Sequence, residues 1–150
     1  MRFLRMLFVS CTSFACVSTL GTQAFAQSKA GPAEANKKLV LEFYRVVWEP
    51  KNSDPVPQFI AEDYIEHNPR GKNGRDNLIT DQKLVSQSAK PADTLRNPPA
   101  MIIAEGDLVT LVFKRMREDP KDKSKYEVFG FDTFRIKDGK IVEHWDAATR

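Results

Sequence analysis

The first half of the chain places its apolar residues at helical spacing. Residues 35–48 carry a single apolar stripe, which predicts an amphipathic helix that ends before Pro50. Asp54 and Pro55 have the pattern of an N-cap followed by a first helical residue, so a short second helix is expected. A third helix is predicted from Gly74 to about Ser88. The apolar side chains of the first two helices are Leu39, Val40, Phe43, Val46, Val47, Phe59 and Ile60.

The second half of the chain changes to a pattern that is typical of strands. A brief extended segment is predicted at residues 64–67, and from Leu95 onward β-rich runs alternate with turns. The predicted strands are 101–104, 108–116, 126–136 and 140–148. Helices that come first and an antiparallel meander that follows define the α+β class.

A sheet of this length relative to its helices is expected to curl around them and to enclose a pocket. Each candidate for the pocket lining also has an ordinary explanation as a core residue. The candidates are Phe43, Val47, Trp48, Phe59, Tyr64, Leu84, Phe113, Phe129 and Phe134.

The last predicted hairpin carries three ionisable side chains among its apolar residues. Asp132 lies on its first strand, and His144 and Asp146 lie on its second strand. Ionisable groups rarely occupy such segments without a partner or a function. These three residues are therefore the first candidates for a functional site.

The register of this hairpin decides whether the three side chains meet. A two-residue loop would pair Ile136 with Ile141 and turn Asp132 away from His144. A three-residue loop pairs Ile136 with Lys140 and places Asp132 opposite His144. The turn sequence suits both loops, and we predict the second because it gathers the ionisable groups. The shared face would hold Asp132, Phe134, Val142, His144 and Asp146, with Trp145 on the opposite face.

Residues 1–26 have the pattern of a secretory signal peptide. A basic start at Arg2 and Arg5 precedes an apolar stretch that runs to about Leu20, and Ala24-Phe25-Ala26 is a small-x-small cleavage site. The apolar run is shorter than the ~20 residues that a transmembrane helix needs. A lipoprotein signal is the other alternative, but neither Cys11 nor Cys16 follows a typical lipidation box.

Cleavage after Ala26 would leave a flexible tail at 27–34 and one domain at 35–150. The expected location is periplasmic or secreted, with no stable membrane anchor. Both cysteines of the chain would be removed, so the mature protein cannot form a disulfide. Loss of two arginines would leave 21 basic and 20 acidic residues. This near-neutral balance, with no basic cluster, predicts no nucleic-acid partner.

Three segments resemble a known family. They are L-x-F-Y at 41–44, Tyr64-Ile65-Glu66-His67-Asn68-Pro69, and F-D-T-F-R-I-K-D-G-K-I-V-E-H-W-D at 131–146. Together they resemble the SnoaL-like polyketide cyclase group of the nuclear transport factor 2-like superfamily, over residues 36–148. The resemblance implies a cone of strongly curved mixed sheet with about three helices, a buried apolar pocket and a homodimer packed through the sheet.

The resemblance also implies roles for individual residues. In the cyclases an acid on the last strand is the general base, and Asp146 matches it. Asp132 stands where some cyclases have a histidine, and His144 would offset the two carboxylates as a cation. His67, Asn68 or protonated Asp132 would hydrogen-bond a developing enolate. Each of these residues also has a structural alternative, as a strand-end, turn or core residue.

Three functions compete. The first is a cofactor-free acid–base enzyme acting on a small carbonyl compound, by aldol closure, isomerisation or hydrolysis. The second is a noncatalytic exported protein that binds a hydrophobic molecule with a polar handle. The third is a metal site of His67, His144 and an aspartate, which we disfavour because the spacing is scattered. For the first two, the apolar contacts would come from Phe43, Trp48, Tyr64, Phe113, Phe129 and Phe134.

Overall fold

The computed structural model describes residues 31–80 and 90–147. The predicted signal peptide, Leu84 and most of the predicted third helix lie outside the described residues. Within the described part of the chain, no helix is long and apolar enough to cross a membrane.

The helical elements come first, as the periodicity predicts. Helix α1 is Pro32–Phe43 and continues as a π-helical segment at Tyr44–Trp48. Helix α2 is Val56–Phe59, and helix α3 is Arg75–Ile79. Three assignments differ from the prediction. Ile60, predicted on the second helix, begins a strand instead. Helix α1 begins at Pro32, inside the predicted tail, because proline suits a first helical position. Helix α2 has no side-chain cap, so Asp54 is not its N-cap.

Five strands form one mixed sheet. They are β1 (Ile60–Glu66), β2 (Met101–Glu105), β3 (Leu108–Glu118), β4 (Lys125–Lys137) and β5 (Lys140–Asp146). The strand order is β1-β5-β4-β3-β2. Strands β2 to β5 form the antiparallel meander that the sequence predicts. Strand β1 pairs with β5 in parallel, which brings the end of the helical half beside the last strand.

The predicted turn register of the last hairpin is wrong. Ile136 pairs with Ile141 across the two-residue turn Asp138-Gly139. Both turn residues have positive φ, 51° and 72°, as a type I′ turn requires. A β-bulge follows directly, between the pairs Ile136–Ile141 and Arg135–Glu143.

The bulge nevertheless places the ionisable side chains of the hairpin on one face, as the predicted register would have done. It adds Val142 to β5, so that Phe134 pairs with His144 and Asp132 pairs with Asp146. Because side chains alternate along a strand, these four residues point to the same face. Val142 was predicted on that face, but Ile141 takes the buried place instead, with 0% of its surface exposed.

The hydrophobic core lies between α1 and one face of the sheet, which we call the inner face. Its members from the helical half are Val40, Phe43, Tyr44, Val47, Val56, Phe59, Ile60 and Tyr64. The strands supply Val109, Leu111, Phe113, Phe134, Ile136 and Ile141. The core ends where β4 and β5 present Asp132, His144 and Asp146, so these polar groups border it.

Candidate functional site

A cavity of about 640 Å³ opens beside the core on the inner face. One side is aromatic, with Phe43, Tyr44 and Trp48 from α1 and the π-helical segment. The other side carries polar side chains from the sheet and from the segment after β1, so the cavity is less apolar than predicted. Those polar residues are Glu66, Asn68, Asp132, His144 and Asp146. An aromatic wall opposite a few convergent polar groups is the usual composition of a small-molecule site.

His144 lies at the centre of the polar side. Its Nδ1–H donates to Glu66 Oε2 at 3.0 Å, and its Nε2 lies 3.8 Å from Asp132 Oδ1. Phe134 stacks on the imidazole with ring centroids 4.7 Å apart. The ring is therefore fixed by one close carboxylate and one aromatic face, with Nε2 turned toward Asp132.

Each carboxylate of the cluster is held by its own hydrogen-bond donor. The hydroxyl of Tyr44 donates to Asp132 Oδ2, and Tyr64 donates to Glu66 Oε2 at 2.8 Å. Asn68 Nδ2 donates to Asp146 Oδ1 at 2.5 Å. These donors orient the carboxylates before any ligand is bound, which is the support that an active site needs.

The electrostatics of the cluster favour a positively charged His144. Burial acts to lower the pKa of His144, but the nearby Asp132 carboxylate and the hydrogen bond and charge of Glu66 outweigh it and raise the pKa to about 9. Burial also acts to raise the pKa of Glu66, but the hydrogen bond and charge of His144 hold it below its ordinary value. At neutral pH the cluster therefore contains an imidazolium–carboxylate pair.

The tyrosines are donors that do not ionise in the physiological range. Burial, together with the neighbouring Asp132 charge, raises the pKa of Tyr44 far above its ordinary value. Burial and Glu66 do the same to the pKa of Tyr64. Both hydroxyls therefore keep their protons and serve to hold the carboxylates.

Comparison with known proteins identifies the family of this chain. A family model for the SnoaL-like domain matches residues 40–144, which is more than half of the chain. The chain belongs to the SnoaL-like domain family. No curated protein matches the sequence.

Solved structures share the fold of this SnoaL-like domain. One from Jannaschia sp. CCS1, a candidate SnoaL-like polyketide cyclase, has 16% identity, a TM-score of 0.54, and covers 81% of this chain and 90% of its own. A candidate polyketide cyclase from Acidithiobacillus ferrooxidans has 16% identity, a TM-score of 0.52, and covers 75% and 87%. A nuclear transport factor 2-like protein of unknown function from Mesorhizobium loti has 21% identity, a TM-score of 0.52, and covers 79% and 93%. At these identities the likeness establishes the fold.

The predicted catalytic residue His67 does not lie in the cavity of this SnoaL-like domain. Its ring stacks on Trp145 with centroids 4.5 Å apart, and its Nε2–H donates to Glu143 Oε2 at 2.8 Å. Trp145 and Glu143 alternate with His144 on β5, so they belong to the outer face of the sheet. His67 is therefore not placed to hydrogen-bond a ligand beside His144.

The predicted binding residues divide into three groups. Phe43, Trp48, Tyr64, Asn68 and Phe134 line the cavity as expected. Phe113 is buried, stacks on Tyr44 with centroids 5.4 Å apart, and borders a second cavity of about 150 Å³. Phe129 is 51% exposed on the outer face and has no place in the cavity.

Sequence reasoning missed Glu66 as the partner of His144. The sequence did contain a signal that points to Glu66. Tyr64, Glu66 and Asn68 are spaced two residues apart, so their side chains point to one side of an extended segment. The same spacing puts His67 on the other side. The parallel pairing of Glu66 with His144 makes the two side chains neighbours. The role of Tyr44 was also missed, because its contact with Asp132 joins residues 88 positions apart.

The structure brings together a different set of possible metal ligands from the set that was predicted from the sequence. Donor atoms of Asp132, His144 and Asp146 lie within 4.8 Å of one another, and His67 is not among them. A metal would have to displace the proton of His144, whose pKa is about 9. A metal would therefore compete with the proton that His144 binds.

Proposed function

We propose that this protein is an acid–base enzyme that removes a proton next to the carbonyl group of a small molecule in the cavity. The observation that carries the proposal is the placement of a carboxylate and an imidazolium two positions apart on one strand, facing one cavity. Asp146 would accept the proton, and His144 would stabilise the oxygen. Such a pair supplies both halves of an enolisation.

The proton balance of the reaction follows from the two side chains. Asp146 takes the α-proton from carbon, and the electron pair of the C–H bond moves toward the carbonyl oxygen. His144 Nε2–H donates to that oxygen, so the intermediate is an enol or a strongly hydrogen-bonded enolate. Return of a proton to another carbon completes an isomerisation, and attack of the enol carbon on a second carbonyl completes an aldol closure.

In this proposal His144 takes the stabilising role that was predicted for His67, Asn68 or protonated Asp132. Among the described residues, Nε2 has no hydrogen-bond partner closer than Asp132 Oδ1, at 3.8 Å, so a ligand oxygen can approach it. Asp132 and Glu66 keep the imidazole protonated, and Asn68 orients the base. The role of Asp132 is thus to keep His144 protonated through its negative charge.

A noncatalytic binding protein is the second candidate, and the aromatic wall of Phe43, Tyr44 and Trp48 is the observation that favours it. Turnover of a panel of small enolisable ketones, β-keto esters and epoxides separates the two candidates. If the protein is an enzyme, at least one compound should react, with a rate that depends on Asp146. If none reacts, but an apolar ligand binds equally well to the wild type and Asp146→Asn, the binding protein is the better description.

We also propose export, with the mature protein beginning at Gln27, and assembly into a symmetric dimer through the outer face of the sheet. The outer face carries large exposed side chains that a monomer would leave in water. They include Met101, Ile103, Met116, Phe129 and Phe131, each about half exposed.

We expect Phe131→Glu to convert the dimer into a monomer, because it places a charge in the middle of this apolar face. Light scattering at micromolar concentration should give twice the monomer mass for the wild type and the monomer mass for the variant. Tyr126→Glu is the matched control, since Tyr126 lies on the same strand but points to the other face. A monomeric wild type would contradict the proposed assembly.

A further inference from the structure

The acidic and the basic residues of the cavity come from different parts of the chain. The acidic side chains come from the strand region, at Glu66, Asp132 and Asp146, whereas two basic residues, Arg70 and Lys72, come from the loop that follows β1. Both basic residues line the same cavity as the acid–base cluster. A ligand that spans the cavity from His144 to the loop would therefore also meet positive charge.

The loop is tied closely to the residues that organise the cluster. Gly74 N–H donates to the carbonyl oxygen of Tyr64 at 2.6 Å, and Asn73 Oδ1 accepts from the backbone of Glu66 at 2.9 Å. Asn68 Oδ1 accepts from the backbone of Arg70 at 2.9 Å. These bonds fix the backbone of the loop from which the two basic side chains extend.

Gly71, between the two basic residues, shows how closely the loop packs on the site. A Cβ atom added to Gly71 would overlap with Cγ of Glu66, the residue that binds His144. A side chain at this position would thus displace either the loop or Glu66. The loop backbone between residues 70 and 72 therefore lies directly against Glu66.

The acidic groups of the cavity already have partners, so Lys72 is not needed to hold them. His144, Tyr44, Tyr64 and Asn68 make those contacts. In the described part of the chain, no carboxylate forms an ion pair with Lys72.

We propose that the loop at residues 70–72 binds a carboxylate carried by the substrate, with Lys72 as the principal contact. The substrate class is then a keto acid whose carbonyl group lies at His144 and whose acid group lies at the loop. This inference rests on the proposed function for the position of the carbonyl. Binding of the acid group itself requires no turnover.

Equilibrium binding tests the inference with one matched pair of ligands, 3-benzoylpropionate and its methyl ester. Trp48 lines the cavity and its fluorescence reports binding, in a Trp145→Phe background that removes the other tryptophan. We expect the acid to bind about fivefold more tightly than the ester, as a partly exposed charge pair allows. The preference should shrink when the ionic strength is raised from about 0.05 to 0.5 M.

Lys72→Ala should remove the preference for the acid and leave the affinity for the ester within about twofold. Lys72→Arg should retain it, and Lys121→Ala, which removes a lysine outside the cavity, should behave as the wild type. Equal affinity for the two ligands in the wild type, or no measurable binding of either, overturns the inference. An equal loss for both ligands in Lys72→Ala also overturns it. Selective binding of the acid without any turnover supports the loop site and counts against the proposed enzyme.

Discussion

Asp146→Asn should lower kcat by about 10² to 10⁴ on any ketone that the wild type turns over, because asparagine has the same shape but cannot accept a proton. Asn68 loses a charged acceptor and keeps a neutral one, so the local geometry should survive. Affinity for the substrate should stay within about tenfold, because the aromatic wall supplies most of the contacts. Steady-state kinetics with a ligand-binding assay measures both quantities.

Asp138→Asn is the matched control for this experiment. It makes the same chemical change on the same hairpin, at the exposed turn. Asparagine suits the positive φ of 51° at this position, so fold and activity should be unchanged. Wild-type turnover in Asp146→Asn would mean that another group is the base.

Glu66→Gln should lower the pKa of His144 from about 9 by at least about one unit, because it removes the charge of the closer of its two carboxylate partners. A glutamine side-chain oxygen can still accept from Nδ1–H, so the ring should keep its position. Titration of the imidazole by nuclear magnetic resonance measures the change directly. Glu143→Gln is the control, since Glu143 contacts His67 on the outer face and should leave His144 unaffected.

The same substitution should change how stability depends on pH. The folded-state pKa of His144, about 9, lies above its ordinary value of 6.5. Protonated His144 therefore contributes its full stabilisation below about pH 6.5 and loses it as the pH rises through about 9. Urea unfolding of the wild type should show this loss between about pH 7 and pH 9.5. In Glu66→Gln the loss should be smaller and should occur at lower pH. Identical pH profiles would show that Glu66 does not hold the charge of His144.

The parts of the fold that depend on local pattern could be predicted from the sequence. The apolar stripe at residues 35–48 does lie on helix, and the four strands of the meander occupy the predicted segments within a few residues. Asp132, His144 and Asp146 were identified because ionisable groups stand out in an otherwise apolar hairpin. Their grouping in one cavity follows from the alternation of side chains along a strand.

The parts that depend on long-range pairing could not be predicted in this way. The bulge at Val142 has no signal in the turn sequence, and it lets a two-residue turn produce the grouping that had been assigned to a three-residue turn. The parallel pairing of β1 with β5 decides that Glu66, and not His67, faces His144. The hydrogen bond between Tyr44 and Asp132 likewise depends on how α1 packs on the sheet.

Exchange of substrate α-protons with deuterated solvent tests the proposed proton abstraction most directly, because it reports removal of the proton even when no product accumulates. We predict that the wild type exchanges the α-protons of a bound ketone, measured by proton nuclear magnetic resonance, and that Asp146→Asn slows the exchange by about 10² or more. The control Asp138→Asn should exchange at the wild-type rate. Equal exchange rates in the wild type and Asp146→Asn, or no exchange by the wild type of a ketone shown to bind in the cavity, would contradict the assignment of Asp146 as the base.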